Sequence, residues 1–244
     1  LLGADGASLM AWMSDQHLFH FSKSRAKTHL SMAVGSRPAM FVNVPPRLYD
    51  EFLQRYADSG LGAGGDDDED DSERKFLVEI PGATFKLFFD VDLTDTRALS
   101  PDQLATIARS VQSECCTAGD AVGRVLVTGK LPDDVAGQDR VKTGLHVKCP
   151  DTVVNIEEAY ELRRLLIQRL TAELPGYQWD RFVDDVVYTG GLRMLGSRKV
   201  TKAVDKGRVY SPLAFANTGG KVQVPPENIL PVEMLKMASI HVQK

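Results

Sequence analysis

The chain has 244 residues, 43% of them hydrophobic, and a net charge of -4, enough apolar content to bury one large core or two modules that share an interface. No apolar run is long enough to cross a bilayer, and Leu1-Leu2-Gly3-Ala4-Asp5 lacks the basic-then-apolar layout of a signal peptide. Cys115, Cys116 and Cys149 give neither a paired framework nor a Cys-x-x-Cys zinc spacing, so a reducing compartment and buried thiols are expected.

Opening on Leu1 rather than Met, the chain reads as a piece of a longer protein, with any targeting segment expected elsewhere. Leu9 to Phe21, with Trp12, Phe19 and Phe21, reads as a helical segment that packs on the core or stacks on template bases. Ala39 to Val44 reads as a strand and Arg47 to Ala57 as a helix with Leu48, Phe52, Leu53 and Tyr56 inward. Gly60 to Lys75 is rich in glycine and acid and reads as a disordered insertion. Its run Asp66 to Asp71 carries six negative charges, and without them the net charge becomes +2.

Two strands follow, Phe76 to Ile80 and Thr84 to Val91, with Pro81-Gly82 between them as a hairpin or corner. Ser100-Pro101-Asp102-Gln103 is an N-cap, first-turn proline and capping-box glutamine, opening a helix with Leu104, Ile107, Ala108, Val111 and Cys115 at helical spacing. Arg124 to Thr128 is expected as a strand, Gly129 to Arg140 as a loop and Gly144 to Cys149 as a strand. Asn155 and Glu158 open a second helix, with Leu162, Leu165, Leu166 and Leu170 inward, ending at Pro175-Gly176. Phe182 to Tyr188 and Leu192 to Gly196 are the last expected strands. From Thr84 onward this order predicts an α+β sheet with helices on one side, as RNA-recognition folds also have.

Chemistry concentrates in three segments. Asp90 and Asp92 stand at i and i+2 on a strand, so both carboxylates share one face, an arrangement suited to a hard divalent cation. Lys142, Gly144 and His146 also share a face, with Gly144 allowing close backbone approach and the two cations reading as a polyphosphate surface. In Val183 to Lys199 an acid on a strand is followed by a glycine-bearing turn and then Arg193, Arg198 and Lys199. Asp184 and Asp185 face opposite ways, so only one can join Asp90 and Asp92. Gly191 to Arg208 holds six basic residues against Asp205, which makes phosphate-bearing partners plausible.

Asp90-Val91-Asp92, Lys142-x-Gly144-x-His146, Asp184-x-x-Val187-Tyr188-Thr189 and Arg193-Met194-x-x-Ser197-x-Lys199, in this order and spacing, resemble the motif series of the archaeo-eukaryotic primase superfamily. The nearest pattern is that of the primase-polymerase branch and its viral herpes and pox relatives. The likeness runs from about Phe19 to Pro212 and includes Ser36-Arg37-Pro38-Ala39-Met40-Phe41-Val42. It implies an archaeo-eukaryotic primase catalytic core divided into a helical segment (1–18), an α/β module (19–83) with the 60–75 insertion, and an RNA-recognition-like catalytic module (84–244). It implies Asp90, Asp92 and Asp184 as catalytic ligands of two Mg²⁺ or Mn²⁺ ions, and Lys142, Gly144, His146, Arg193 and Lys199 around the nucleotide. Arg37 and Ser197 are implied as secondary template or nucleotide contacts. Single-stranded DNA template and primer, dNTPs or NTPs, and a single-strand-binding protein or helicase are the implied partners. Replication restart or damage tolerance in the nucleus or mitochondrion is the implied setting.

Three departures stand out: Asp92 where cellular members commonly have Glu, Gly144 where many have Ser, and a shorter turn from Tyr188 to Arg193. Members usually add a zinc-binding domain after the core, and with none before Lys244 the expectation is primer extension rather than initiation. Two other readings are an Asp-x-Asp glycosyltransferase, which leaves His146 and the Arg193 to Lys199 strand unexplained, and a non-catalytic single-strand-binding module, which leaves the acids unexplained.

Overall fold

The computed structural model describes residues 8–23, 26–32, 38–59, 77–95, 98–118, 121–130, 141–197, 210–224 and 231–242. Arg37, the 60–75 insertion and residues 198–209, which hold Lys199 and most of the basic run, lie outside the described residues. Among the described residues no helix is long and apolar enough to cross a membrane.

A first sheet gathers short strands around one amphipathic helix. Helix α1 (Leu9–Asp15), capped by the Ser8 side chain, leads into β1 (Phe19–His20), β2 (His29–Ser31), β3 (Met40–Val42), α2 (Pro46–Asp58) and β4 (Leu77–Glu79). Tyr49, Phe52, Leu53 and Tyr56 recur at three- and four-residue intervals along α2 and bury one face against Trp12, Met13 and Val42. Trp12 is thus a core residue, with Arg55 over its ring, while Phe21 is exposed.

The second sheet is built on β5 (Phe85–Asp95). After it come α3 (Pro101–Cys115), a ribbon of β6 (Thr117–Ala118) and β7 (Ala121–Val122), β8 (Val125–Lys130), β9 (Val141–Val154) and α4 (Ile156–Glu173). Helix α5 (Trp179–Phe182) and β10 (Val183–Asp184) complete a β-α-β-β-α-β unit. Its antiparallel order β10-β5-β9-β8 is fourth, first, third, second, extended at one edge by β12 (Ser211–Ala216) and β13 (Val222–Gln223). Ser100 and Asn155 each form a full capping box, contributing about 1 kcal/mol apiece to holding the two helix starts. Leu104, Ile107, Ala108, Val111 and Cys115 of α3 are all buried against the sheet and α4, as their spacing predicts. On α4, Leu166 and Leu170 are buried, while Leu162 and Leu165 are half-buried. All three cysteines are free and buried.

Of the two readings of Pro81-Gly82 the corner is the one found: both edges of β4 are already paired, to β2 and to β11 (Leu192–Arg193), so β5 turns away into the other sheet. Three expectations change. The strand expected over Gly144 to Cys149 extends across 141–154. The expected strands 182–188 and 192–196 shrink to two residues each and separate, because the Asp184 side chain accepts Val186 N at 2.9 Å and turns the chain into the single-turn helix α6 (Val187–Gly190). Finally, a cut at residue 84 does not divide the structure. β11 joins the first sheet, and Met194, Leu195 and helix α7 (Pro231–Ala238) pack into the first core beside α2.

Gly191 makes that return possible. Its φ is +91°, and a Cβ there would lie 2.5 Å from Glu79 O and 2.9 Å from Val78 Cγ1. Beyond it, Ser197 is 1% exposed and its Oγ accepts Leu77 N at 3.1 Å while bonding Tyr56 OH at 2.9 Å. Ser197 is therefore a tie between α2 and β4, closed to template or nucleotide, which corrects the expected contact. Tyr56 OH also donates to Leu195 O at 2.9 Å. Tyr56→Phe keeps the ring but takes the donor from the Leu195 carbonyl and one of two partners from the Ser197 hydroxyl, and should lower unfolding free energy by about 1–3 kcal/mol in urea denaturation.

Candidate active site

The register of β5 with its two neighbours builds the site. Asp184 lies opposite Asp90, Asp90 opposite His146, and His146 opposite Thr128. Directly opposed residues share a face, so these four form one row across β10, β5, β9 and β8. Asp92 and Gly144 are opposed in the next row, with Thr94 and Lys142 beyond. The intervening Val91, Leu145 and Val147 point to the helices and are fully buried. Asp185 is exposed, so Asp184 is the third acid that joins the pair.

Three carboxylates in this corner repel one another. The Asp90 carboxyl is pushed up to about 7 by burial and by Asp92, against Arg193, with Asp184 adding to the rise and Lys142 opposing it. Its Oδ1 is buried without a hydrogen-bond partner. The three acids do not all come within 4.8 Å of one another. Lys142 Nζ sits on Asp92 Oδ2 at 2.7 Å, with both side chains nearly half exposed, so the pair contributes at most about 1 kcal/mol and separates readily.

His146 differs from its expected role. It is 2% exposed, and burial, then Lys148, then Arg193 hold its imidazole well below the usual range, so it stands neutral. Its Nε2 lies 3.9 Å from Asp90 Oδ1, too far for a hydrogen bond, and this contact is not an ion pair. The cationic surface expected from Lys142 and His146 together is therefore formed by Lys142 and Arg193. Arg193 reaches the row from the other sheet, on β11, with Nη1 buried and unpartnered. The site thus lies where the two sheets meet.

Two groups in the site were absent from the expected set. Tyr210 packs its ring 4.2 Å from the His146 ring centroid, and the Arg193 guanidinium lies 4.4 Å over it. Burial pushes its hydroxyl up to about 12. A Cβ on residue 144 would collide with that hydroxyl and lie 3.2 Å from Asp92 Oδ1, which explains glycine at this position: Tyr210 fills the space a larger side chain would take. Nothing local marks Tyr210, since it arrives just ahead of β12 after 198–209. Lys148 is 2% exposed, with Nζ unpartnered and its ammonium lowered to about 8 by burial. Its signal was in the sequence, as the next same-face residue after His146.

These features make a site in which a carboxylate row faces basic and aromatic side chains. The Prim-pol 4 family model matches residues 6–170, about two thirds of the chain, and the chain belongs to that family. The matched span includes Asp90, Asp92, Lys142, Gly144 and His146, while Asp184, Arg193 and Tyr210 lie beyond it. No curated protein matches the chain. Membership carries primase-polymerase-like activity on nucleic acid and nucleotide substrates as the coarse function.

The raised Asp90 carboxyl sets a pH dependence. Folded Asp90 keeps a proton that the unfolded chain releases near pH 4, so its contribution to stability is complete below about pH 4 and is lost as pH rises through about 7. In EDTA, the melting temperature should fall over that window more steeply for the wild type than for Asp90→Asn, as read by scanning calorimetry at stepped pH. At the neighbouring position, Gly144→Ala should cost about 1–3 kcal/mol alone and clearly less beside Tyr210→Phe, measured as a double-mutant cycle in denaturant.

Proposed function

We propose that this chain is the catalytic core of a DNA-directed primase-polymerase that adds nucleotides from dNTPs or NTPs to a primer end on a single-stranded DNA template. The observation that carries the reading is the row Asp184, Asp90, His146, with Asp92 beside it, facing Arg193 and Lys142. The strand order of the second sheet supports an RNA-recognition-like module. The motif order supports kinship with the eukaryotic branch and its herpes and pox relatives, and through it a role in replication restart or damage tolerance.

The donor set fits hard divalent cations: three carboxylates on one face, one with a buried unpartnered oxygen and a raised affinity for positive charge. Asp90, Asp92 and Asp184 would hold Mg²⁺ or Mn²⁺, which when bound lowers the pKa of the primer 3′-hydroxyl and offsets charge on the departing pyrophosphate. The chain's own residues do the rest. Lys142 exchanges the Asp92 carboxylate for triphosphate oxygens, and the unpaired Nη1 of Arg193 donates to the same group. Neutral His146 offers a hydrogen bond rather than a charge, and Tyr210 fixes both it and Arg193 from one side. Gly144 keeps the strand open to close approach. Lys199 and Arg37 remain proposed nucleotide and template contacts from the motif series.

Primer extension on a short template with Mg²⁺ or Mn²⁺, comparing dNTPs with rNTPs, tests the reading. Incorporation is expected, and should fall by roughly 100-fold or more in Asp90→Ala and Asp184→Ala, about 2.7 kcal/mol of transition-state stabilisation, with melting retained. Transfer from a labelled UDP-sugar, or metal-independent DNA binding with no incorporation under either cation, would replace this reading.

A further inference from the structure

His29, Glu79 and His241 each offer a ligand atom within 4.8 Å of the other two. They come from β2, β4 and the segment after α7, so three distant parts of the chain meet there. His29 is fully buried, Glu79 is 1% exposed and His241 is half-buried, which leaves one approach from solvent.

Thr28 engages both imidazoles. Its hydroxyl accepts Val44 N at 2.9 Å and lies 2.9 Å from His29 Nδ1, so Nδ1 is the nitrogen of His29 that is held from outside. The other ring nitrogen, Nε2, is buried with no hydrogen-bond partner. The carbonyl of the same Thr28 accepts from His241 Nε2 at 2.9 Å, which leaves Nδ1 as the second nitrogen of that ring. Burial, then His241, hold His29 neutral. Hydrogen bonds to Glu79 from Ser239 Oγ (2.6 Å), Tyr49 OH (3.3 Å) and Ile240 N (3.3 Å) all end on Oε1, leaving Oε2 for another partner.

Two imidazoles each held at one nitrogen by an outer hydrogen bond, beside an oriented carboxylate, are the arrangement of a transition-metal site. Imidazole donors suit Zn²⁺ rather than Mg²⁺. We propose that His29, Glu79 and His241 bind one Zn²⁺ ion that clamps the segment after α7 to the first sheet. The proposal is independent of nucleotidyl transfer and of the cations at Asp90.

The whole chain, stripped with EDTA and dialysed against Zn²⁺ and a weak competing chelator, tests it. The wild type should retain one Zn²⁺ by mass spectrometry of metals and melt about 5–10 °C higher at roughly 100 times the dissociation constant. His241→Ala should lose both the ion and the shift, and Asp92→Asn should keep both. Co²⁺ in place of Zn²⁺ should give the visible d–d absorption of low-coordinate imidazole and carboxylate ligation. A wild type that retains no Zn²⁺, retention that survives His241→Ala, or loss of the ion in Asp92→Asn overturns the site. Should His241→Ala fail to fold, the wild-type Co²⁺ spectrum decides: absorption supports the site, and its absence overturns it.

Discussion

Burial of Asp90 beside two further carboxylates, held together by strand pairing, is the constraint on which the candidate site depends. Asp90 is flanked by β9 on one side and β10 on the other, so it cannot swing away from Asp184 without breaking a ladder. Burial by the surrounding fold is the largest cost to its charge, with repulsion from Asp92 and then Asp184 added to it. What relieves that cost in the folded chain is cationic and comes from two directions: Lys142 along the same sheet and Arg193 from the other one. Added positive charge lowers the cost of ionising such a corner.

Bringing Arg193 to that corner requires the chain to change sheets within a few residues. Asp184 ends β10 by accepting Val186 N, α6 turns once, and Gly191 passes against β4 where a side chain would strike Glu79 and Val78. The same crossing places Ser197 in the first core and brings Tyr210 back to the row. The two sheets are consequently interleaved along the chain, with β11 and α7 completing the module that α1 begins. Glu79 shows the same economy on the other side, where it draws Ser239 and Ile240 onto β4.

Burial also decides which basic groups act as charges. Lys142 and His146 have the same facing in sequence, yet Lys142 stays half-exposed and paired to Asp92, while His146 lies in the interior beside Lys148 and Arg193 and is neutral. Depth and residue type act together: Lys148 is as buried as His146, yet its ammonium is lowered only to about 8, while the imidazole is held well below its usual range.

Much was legible before the fold. The capping boxes at Ser100 and Asn155, the apolar spacing of α3 and the i, i+2 placement of Asp90 and Asp92 follow from local rules, because caps and strand alternation involve residues a few positions apart. The motif series likewise brought Asp184 and Arg193 into the candidate set by their order in the chain. The tertiary structure alone decided that β4 and β5 part into different sheets, that Ser197 is buried, that His146 is neutral, that Tyr210 fills the space over Gly144, and that His29 and His241 meet. Each of those depends on which surfaces cover which, and that is set by contacts between residues far apart in the chain, beyond the reach of any local pattern.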